Sequence, residues 1–162
     1  MKRTATALVL ALMTVLFGTL ATSAHATEIG YGGCTPGYWK NHTDNWQEAR
    51  PDSLFTAKFD AAGQPVVSQS LSGKTFWQTL QGGGGPGVAG AESILARAAT
   101  AAYLNAAHED VQYPWRRSAE GLDGRPALVP TVRAAINSGD RATMIALASQ
   151  LDADNNRGCF LN

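Results

Sequence analysis

The stretch GAESILARAATAAYLNAAH, residues 90–108, decides the fold of this chain. Apolar side chains recur in it at three- and four-residue spacing, which is typical of one face of an α-helix. Alanine fills most other positions and has the highest helix propensity of any residue. We therefore predict a central helix over residues 90–108, whose small side chains let neighbouring elements approach closely. The recurring positions are Ile94, Leu95, Ala98, Ala101, Ala102 and Asn105.

The last third of the chain predicts a helical hairpin. Residues 127–137 and 143–151 each carry apolar positions at helical spacing. Between them, Ser138-Gly139-Asp140 supplies a glycine to end one helix and an aspartate to cap the next. Residues 72–80 predict a shorter capped helix, which the glycine run at 82–85 ends. The predicted fold class is mainly α, a small single-domain helical bundle with irregular loops.

Only short elements are predicted before the central helix. Pro36-Gly37 is a turn signal. Either Asn41 or Thr43 is placed to cap a short helix that Pro51 ends. Residues 60–72 are compatible with a turn or with a short strand pair.

The N-terminus has the pattern of a secretory signal peptide. Lys2 and Arg3 form a basic region, residues 7–20 are apolar and uncharged, and Ala24-His25-Ala26 places small residues at the positions that signal peptidase reads. We expect cleavage after Ala26. The apolar stretch is shorter than the ~20 residues that cross a bilayer. No comparable stretch follows, so we expect no membrane anchor in the mature chain.

The signal-peptide pattern divides the chain into a signal peptide at 1–26, a flexible lead at 27–33 and a secreted helical domain at 34–162.

The predicted mature chain has a nearly balanced charge. Removal of Lys2 and Arg3 from a chain with 13 basic and 13 acidic residues leaves a slight acidic excess. Such a balance provides no basic field for nucleic acid or acidic lipid. We therefore expect no nucleic-acid partner and localisation in the periplasm, at the cell surface or outside the cell.

The chain has two cysteines, Cys34 near the start of the predicted mature chain and Cys159 near its end. An even count in an exported protein indicates a disulfide, and two free thiols are the alternative. A disulfide would also leave neither cysteine free to act as a nucleophile.

Three separated motifs carry a family resemblance: CTPGYWKNH at 34–42, GGGGPGVAGAESILARAATAAYLNAAHEDVQYP at 82–114 and DADNNRGCFLN at 152–162. In this order they resemble an exported bacterial and archaeal module with a TPGYWKNH-type signature, an alanine-rich LLNAAH-type helix and a C-terminal NNxGC motif. The resemblance implies a surface or secreted domain without an established enzymatic role. It also implies the pairing of Cys34 with Cys159. Phe160 stands where the pattern often has proline, which affects only the local turn.

An aromatic and polar cluster beside the first cysteine is the candidate binding surface. It comprises Tyr38, Trp39, Lys40, Asn41 and His42. Indole and phenol rings stack on sugars or anchor protein partners, although they also pack in cores. A nearby disulfide would hold the cluster rigid and reduce the entropy lost on binding. We therefore expect a non-catalytic module, structural or binding, whose partner is a cell-surface glycan or protein.

The alternative function is a small metal-dependent hydrolase that uses His42 and His108. Asp44, Glu109 and Asp110 lie near these histidines in sequence and would supply carboxylate ligands. The spacing matches no established metal motif, and we expect no cofactor. The sequence predicts no oligomeric state.

Overall fold

The computed structural model of this chain describes residues 31–161. The predicted signal peptide at 1–26 and residues 27–30 of the predicted lead lie outside the described residues. Within residues 31–161 there are helices and isolated β-bridges but no β-strand, which confirms the mainly α prediction. The helices of this part are α1 (Pro36–Asn41), α2 (Phe55–Phe59), α3 (Phe76–Leu80), α4 (Gly87–Ala107), α5 (Leu128–Asn137) and α6 (Arg141–Asn155), with 3₁₀ turns at Thr43–Asn45, Glu109–Val111 and Leu122–Gly124.

The predicted central helix is α4, which begins three residues earlier than predicted and ends at Ala107. Most of its residues are buried, and α6 is its main packing partner. The alanine-rich faces make this close packing feasible because a methyl group fills little space between two helices. Among the helices of residues 31–161, none is both long and apolar enough to cross a membrane.

The predicted hairpin is confirmed as α5 and α6. Gly139 has a φ of 64°, which ends α5 in the left-handed region that glycine tolerates. Asp140 then caps α6, accepting a hydrogen bond of 2.9 Å from the backbone amide of Thr143. The helix runs four residues beyond the predicted end at Leu151 and reaches Asn155.

The helix near the first cysteine lies elsewhere than predicted. Thr35 caps α1 by accepting a hydrogen bond of 3.1 Å from the Tyr38 amide, and Pro36 takes the first helical position. Proline suits that position because its missing N–H would have no partner there anyway. Pro36-Gly37 therefore opens a helix instead of a loop turn, and only the short 3₁₀ turn Thr43–Asn45 follows.

An aromatic cluster joins α2 and α3 to α4. Phe55, Phe59 and Phe76 are fully buried, and the Phe59 and Phe76 rings meet Tyr103 of α4 at centroid distances of 5.7 and 5.2 Å. Thr75 begins α3 with a capping box.

Residues 60–72 form a loop with turns and no strand pair. The loop is bound to α5, because Asn137 accepts a hydrogen bond from the Val67 amide and donates one to the Pro65 carbonyl.

The predicted disulfide between Cys34 and Cys159 is present, with their Cα atoms 4.4 Å apart. Beside it, the Gly33 amide donates a hydrogen bond of 3.0 Å to the Gly158 carbonyl in an isolated antiparallel bridge. The two ends of the domain are therefore joined at one place by a covalent bond and a backbone pair.

Candidate functional site

Trp39, the centre of the predicted binding surface, is in the core. Its side chain is 0% exposed, and its Nε1 donates a hydrogen bond of 3.0 Å to Oδ1 of Asn105. The helical turn from Thr35 directs this indole inward against α4. The expectation that Trp39 contacts a ligand is therefore corrected, because no part of its ring is accessible.

The other residues of that predicted surface differ in accessibility. The Tyr38 and His42 rings stack on each other with centroids 4.3 Å apart, and both side chains are half-buried. Lys40 and Asn41 are exposed, and Asn41 donates a hydrogen bond to the Gly37 carbonyl. A contacting role for these four residues stays a prediction.

The buried amide of Asn105 joins the three sequence motifs, since Asn105 lies in the second and bonds to residues of the first and the third. Its Oδ1 accepts hydrogen bonds from the Cys34 amide at 2.8 Å and from Trp39. Its Nδ2 donates to the Cys34 carbonyl at 2.9 Å and to Oδ1 of Asn155 at 2.9 Å. All four hydrogen-bonding positions of the side-chain amide are used.

Asn155, in the third motif, continues this network into α6. Its Oδ1 also accepts from the Tyr113 hydroxyl at 2.8 Å, and its Nδ2 donates to the Ala98 carbonyl at 3.0 Å. Burial raises the pKa of Tyr113 well above its ordinary value, with a further contribution from the Asp154 charge. The three motifs thus meet around one buried network whose role is to fasten the disulfide-linked segment to α4 and α6.

Next to Asn155, the Asp154 carboxylate collects four hydrogen bonds. Trp115 donates one of 2.8 Å, Arg125 donates two of 2.9 Å, and Arg157 donates one of 2.7 Å. Burial alone would raise the pKa of Asp154, but these hydrogen bonds outweigh burial and hold that pKa below its usual range.

The two candidate metal-binding histidines lie in different surroundings. His42 stacks on Tyr38, whereas His108 follows the last residue of α4 with its ring centroid 6.2 Å from that of Trp39. Residues 31–161 contain no group of three or more His, Cys, Asp or Glu side chains arranged to hold a metal ion. The described structure therefore does not assemble the predicted combination of both histidines with a carboxylate.

A cleft of about 430 Å³ lies at the C-terminal end of α4, and we call it the His108 cleft. Its volume falls within the roughly 300–1,000 Å³ of small-molecule sites. Two regions of the chain form it, Glu48 and the segment from residue 105 to residue 122. It is lined by Glu48, by residues 105–109, by most of residues 112–117 and by Leu122.

Several polar groups of the His108 cleft already have partners. Asn105, Tyr113 and Trp115 direct their polar atoms into the buried networks. Glu48 and Arg117 form an ion pair with each other. Burial lowers the pKa of the Arg117 guanidinium, which nevertheless remains charged at neutral pH. These groups line the cleft but already have partners within the protein.

Four other polar side chains of the cleft have no hydrogen bond to any residue within 31–161: His108, Glu109, Gln112 and Arg116. Of these, Glu109, Gln112 and Arg116 are exposed. His108 is only 9% exposed, and its Nδ1 lacks a hydrogen-bond partner in the described part of the chain. Asp110 Oδ2 lies 3.8 Å from this nitrogen, which exceeds hydrogen-bond distance. A buried unpartnered nitrogen costs about 1–3 kcal/mol, which a bound partner would offset.

Backbone strain is concentrated at the same cleft. Residues 31–161 contain three non-glycine residues with positive φ: Glu48 at 59°, Gln112 at 50° and Asp123 at 54°. Glu48 and Gln112 line the cleft, and Asp123 directly follows Leu122, which also lines it. Left-handed backbone at such residues costs about 1–3 kcal/mol and tends to occur where function requires a particular geometry.

No family model, curated protein or solved structure matches this chain. The resemblance to an exported module therefore rests on the three motifs in its own sequence.

Sequence reasoning did not identify Glu48, Gln112 or Arg116 as site residues, and it named Glu109 only as a metal ligand. Trp77, at 42% exposed, is the most accessible of the four tryptophans. No local signal marks the cleft, because Glu48 is far in sequence from the other lining residues and only the fold brings it to them.

Proposed function

We propose that this chain is an extracytoplasmic, non-catalytic module that binds a glycan or a protein at the cell surface through the His108 cleft. The observation that carries the proposal is a cleft of ligand size whose His108, Glu109, Gln112 and Arg116 side chains have no partner within residues 31–161. Other polar groups lining the cleft are engaged in structural contacts, so these four are available for recognition.

The fold supports this role by holding the cleft rigid. Asn105 lines the cleft and also belongs to the buried network that fixes Cys34 and α6. A preformed site loses little conformational entropy when it binds. The exposed Lys40 and Asn41 of the predicted Tyr38–His42 surface are proposed to extend the contact area.

Export is supported by the signal-peptide pattern and by the disulfide, which persists in oxidising compartments. The full chain should be expressed in a bacterium with an active secretion pathway, and the extracytoplasmic protein should be analysed by N-terminal sequencing. We expect a first residue of Thr27. A product that keeps residues 1–26 and stays in the cytoplasm would contradict this part of the proposal.

Binding is tested with the oxidised mature protein and cell envelopes isolated from the source organism. We expect saturable retention that falls at least about tenfold in the double variant Arg116→Ala/Glu109→Gln, because hydrogen bonds to charged groups contribute about 1.5–3 kcal/mol each. The matched control is Arg97→Ala/Glu120→Gln, which alters exposed residues of the same types outside the cleft. Equal retention of both double variants and wild type would refute binding through this cleft.

A further inference from the structure

We infer that the ligand of the His108 cleft is an uncharged, hydroxyl-rich saccharide, an inference that rests on the proposed binding function. The charges at the cleft come in opposite pairs. Glu48 is neutralised by Arg117, and the remaining exposed charges, Glu109 and Arg116, have opposite signs.

This pairing disfavours ligands with charge of a single sign. An anion is attracted by Arg116 but repelled by Glu109, whereas a cation is attracted by Glu109 but repelled by Arg116. A hydroxyl group donates one hydrogen bond and accepts others. A ligand with several hydroxyls therefore satisfies a guanidinium, a carboxylate and an amide at once, without an unfavourable charge contact.

The lining also contains small apolar groups beside its polar side chains. Trp115 and Tyr113 are only 1% and 6% exposed and bond to Asp154 and Asn155, so they offer almost no ring surface to a ligand. Ala106 and Ala107 add methyl groups to the lining. A saccharide has C–H groups that pack on methyl groups and hydroxyls that reach the polar side chains.

His108 is the part of the cleft that a hydroxyl suits best. A neutral imidazole has one N–H donor and one acceptor nitrogen, and Nδ1 has no partner within residues 31–161. A sugar hydroxyl pairs with either form of that nitrogen, because it donates or accepts as required. Binding should therefore change the environment of the His108 ring.

The experiment is a glycan array of neutral and acidic oligosaccharides probed with the oxidised mature protein, followed by titration of the best binder. We expect neutral glycans to bind, with affinity that changes less than about twofold between 0.05 and 0.5 M NaCl, because screening acts on charge attraction. Arg116→Ala and Glu109→Gln should each weaken binding about tenfold or more. The controls Arg97→Ala and Glu120→Gln should leave it unchanged.

A second readout addresses His108 directly. With ¹⁵N-labelled histidine, we expect saccharide binding to shift the His108 ring nitrogen resonances and to leave those of His42 unchanged. Binding restricted to acidic glycans, with steep salt dependence, would overturn the inference of an uncharged ligand. Retention on envelopes that survives removal of glycans but not digestion of proteins would also overturn it, while the proposed binding function would stand. Absence of envelope binding would instead refute the proposed function itself.

Discussion

The Asn105 side chain uses all of its hydrogen-bonding capacity inside the core. It contacts both backbone groups of Cys34, the indole of Trp39 and the amide of Asn155. No other side-chain type offers two acceptor and two donor positions in this planar arrangement except the longer glutamine. The fold therefore explains the identity of this residue.

Replacement of Asn105 by alanine should lower the free energy of unfolding by at least about 3 kcal/mol. The change leaves several buried groups unpaired, each at about 1–3 kcal/mol. Urea unfolding followed by tryptophan fluorescence measures the effect. The control is Asn156→Ala, whose amide bonds only the Asp152 carbonyl at the surface and whose loss should cost within about 0.5 kcal/mol. Similar losses for both variants would argue against the network.

Gly33 is required by close backbone approach. A Cβ atom there would overlap the Asp154 carbonyl oxygen, which belongs to a helix and cannot move aside as a flexible side chain can. Gly33→Ala should therefore destabilise the protein by about 1–3 kcal/mol, as overpacking does. Gly83→Ala is the matched control, because no atom lies within 4 Å of its added Cβ. Thermal unfolding of the two variants should differ clearly, and equal melting temperatures would contradict the close approach.

At the scale of elements, the C-terminal end of α6 is held by the Asp154 carboxylate and its donors on Trp115, Arg125 and Arg157. The pKa of Asp154 is lower in the folded chain than in the unfolded chain. The unfolded state therefore takes up the proton first as the pH falls. The resulting stabilisation is complete above the unfolded pKa of about 3.9 and is lost as the pH falls through the depressed folded pKa.

Asp154→Asn should accordingly reduce stability at pH 7 and make stability less dependent on pH below about pH 4. Urea unfolding at a series of pH values from 7 to 3 tests this, with Asp52→Asn as an exposed control. The difference between wild type and Asp154→Asn should shrink toward pH 3. A constant difference across this range would show that the carboxylate is not responsible.

The long, strongly periodic helices and the short capped helix α3 were predictable from sequence, whereas the start of α1 and the loop at residues 60–72 were not. Helices α4, α5 and α6 follow from apolar spacing and from the Gly139-Asp140 signal. The start of α1 was not predicted because Pro36-Gly37 is a turn signal, although proline directly after a capping threonine also marks a helix start. Residues 60–72 carry no periodicity, and their conformation depends on two hydrogen bonds with Asn137, which accepts one from the Val67 amide and donates one to the Pro65 carbonyl.

The candidate site was far less predictable than the helices. The sequence placed Trp39 in a contacting surface because adjacent aromatic and polar residues have that composition whether they face solvent or core. Only the orientation of α1 decides which ring points inward. The His108 cleft depends on the contact between Glu48 and Arg117, which are 69 positions apart, and no local pattern encodes such a contact.

At the scale of the whole molecule, the disulfide spans a sequence separation of 125 residues. Closing a loop of this length restricts the unfolded chain by about 5 kcal/mol in the chain-entropy model. Cys34→Ala/Cys159→Ala should therefore unfold at much lower urea concentration than wild type.

A reductant provides the matching control for this prediction. Dithiothreitol should lower the melting temperature of wild type toward that of the double variant and should not change the double variant. An unchanged melting temperature for fully reduced wild type would show that the bond contributes little to stability.

The joining of Cys34 to Cys159, beside the Gly33 and Gly158 bridge, has a mechanical consequence. Tension applied between residues 33 and 160 passes through one sulfur–sulfur bond and leaves the helices unloaded. Polypeptide segments attached at residues 33 and 160 would therefore leave the domain from adjacent positions. If both neighbours were pulled apart, the force would pass through the disulfide, and the domain would stay folded without extending.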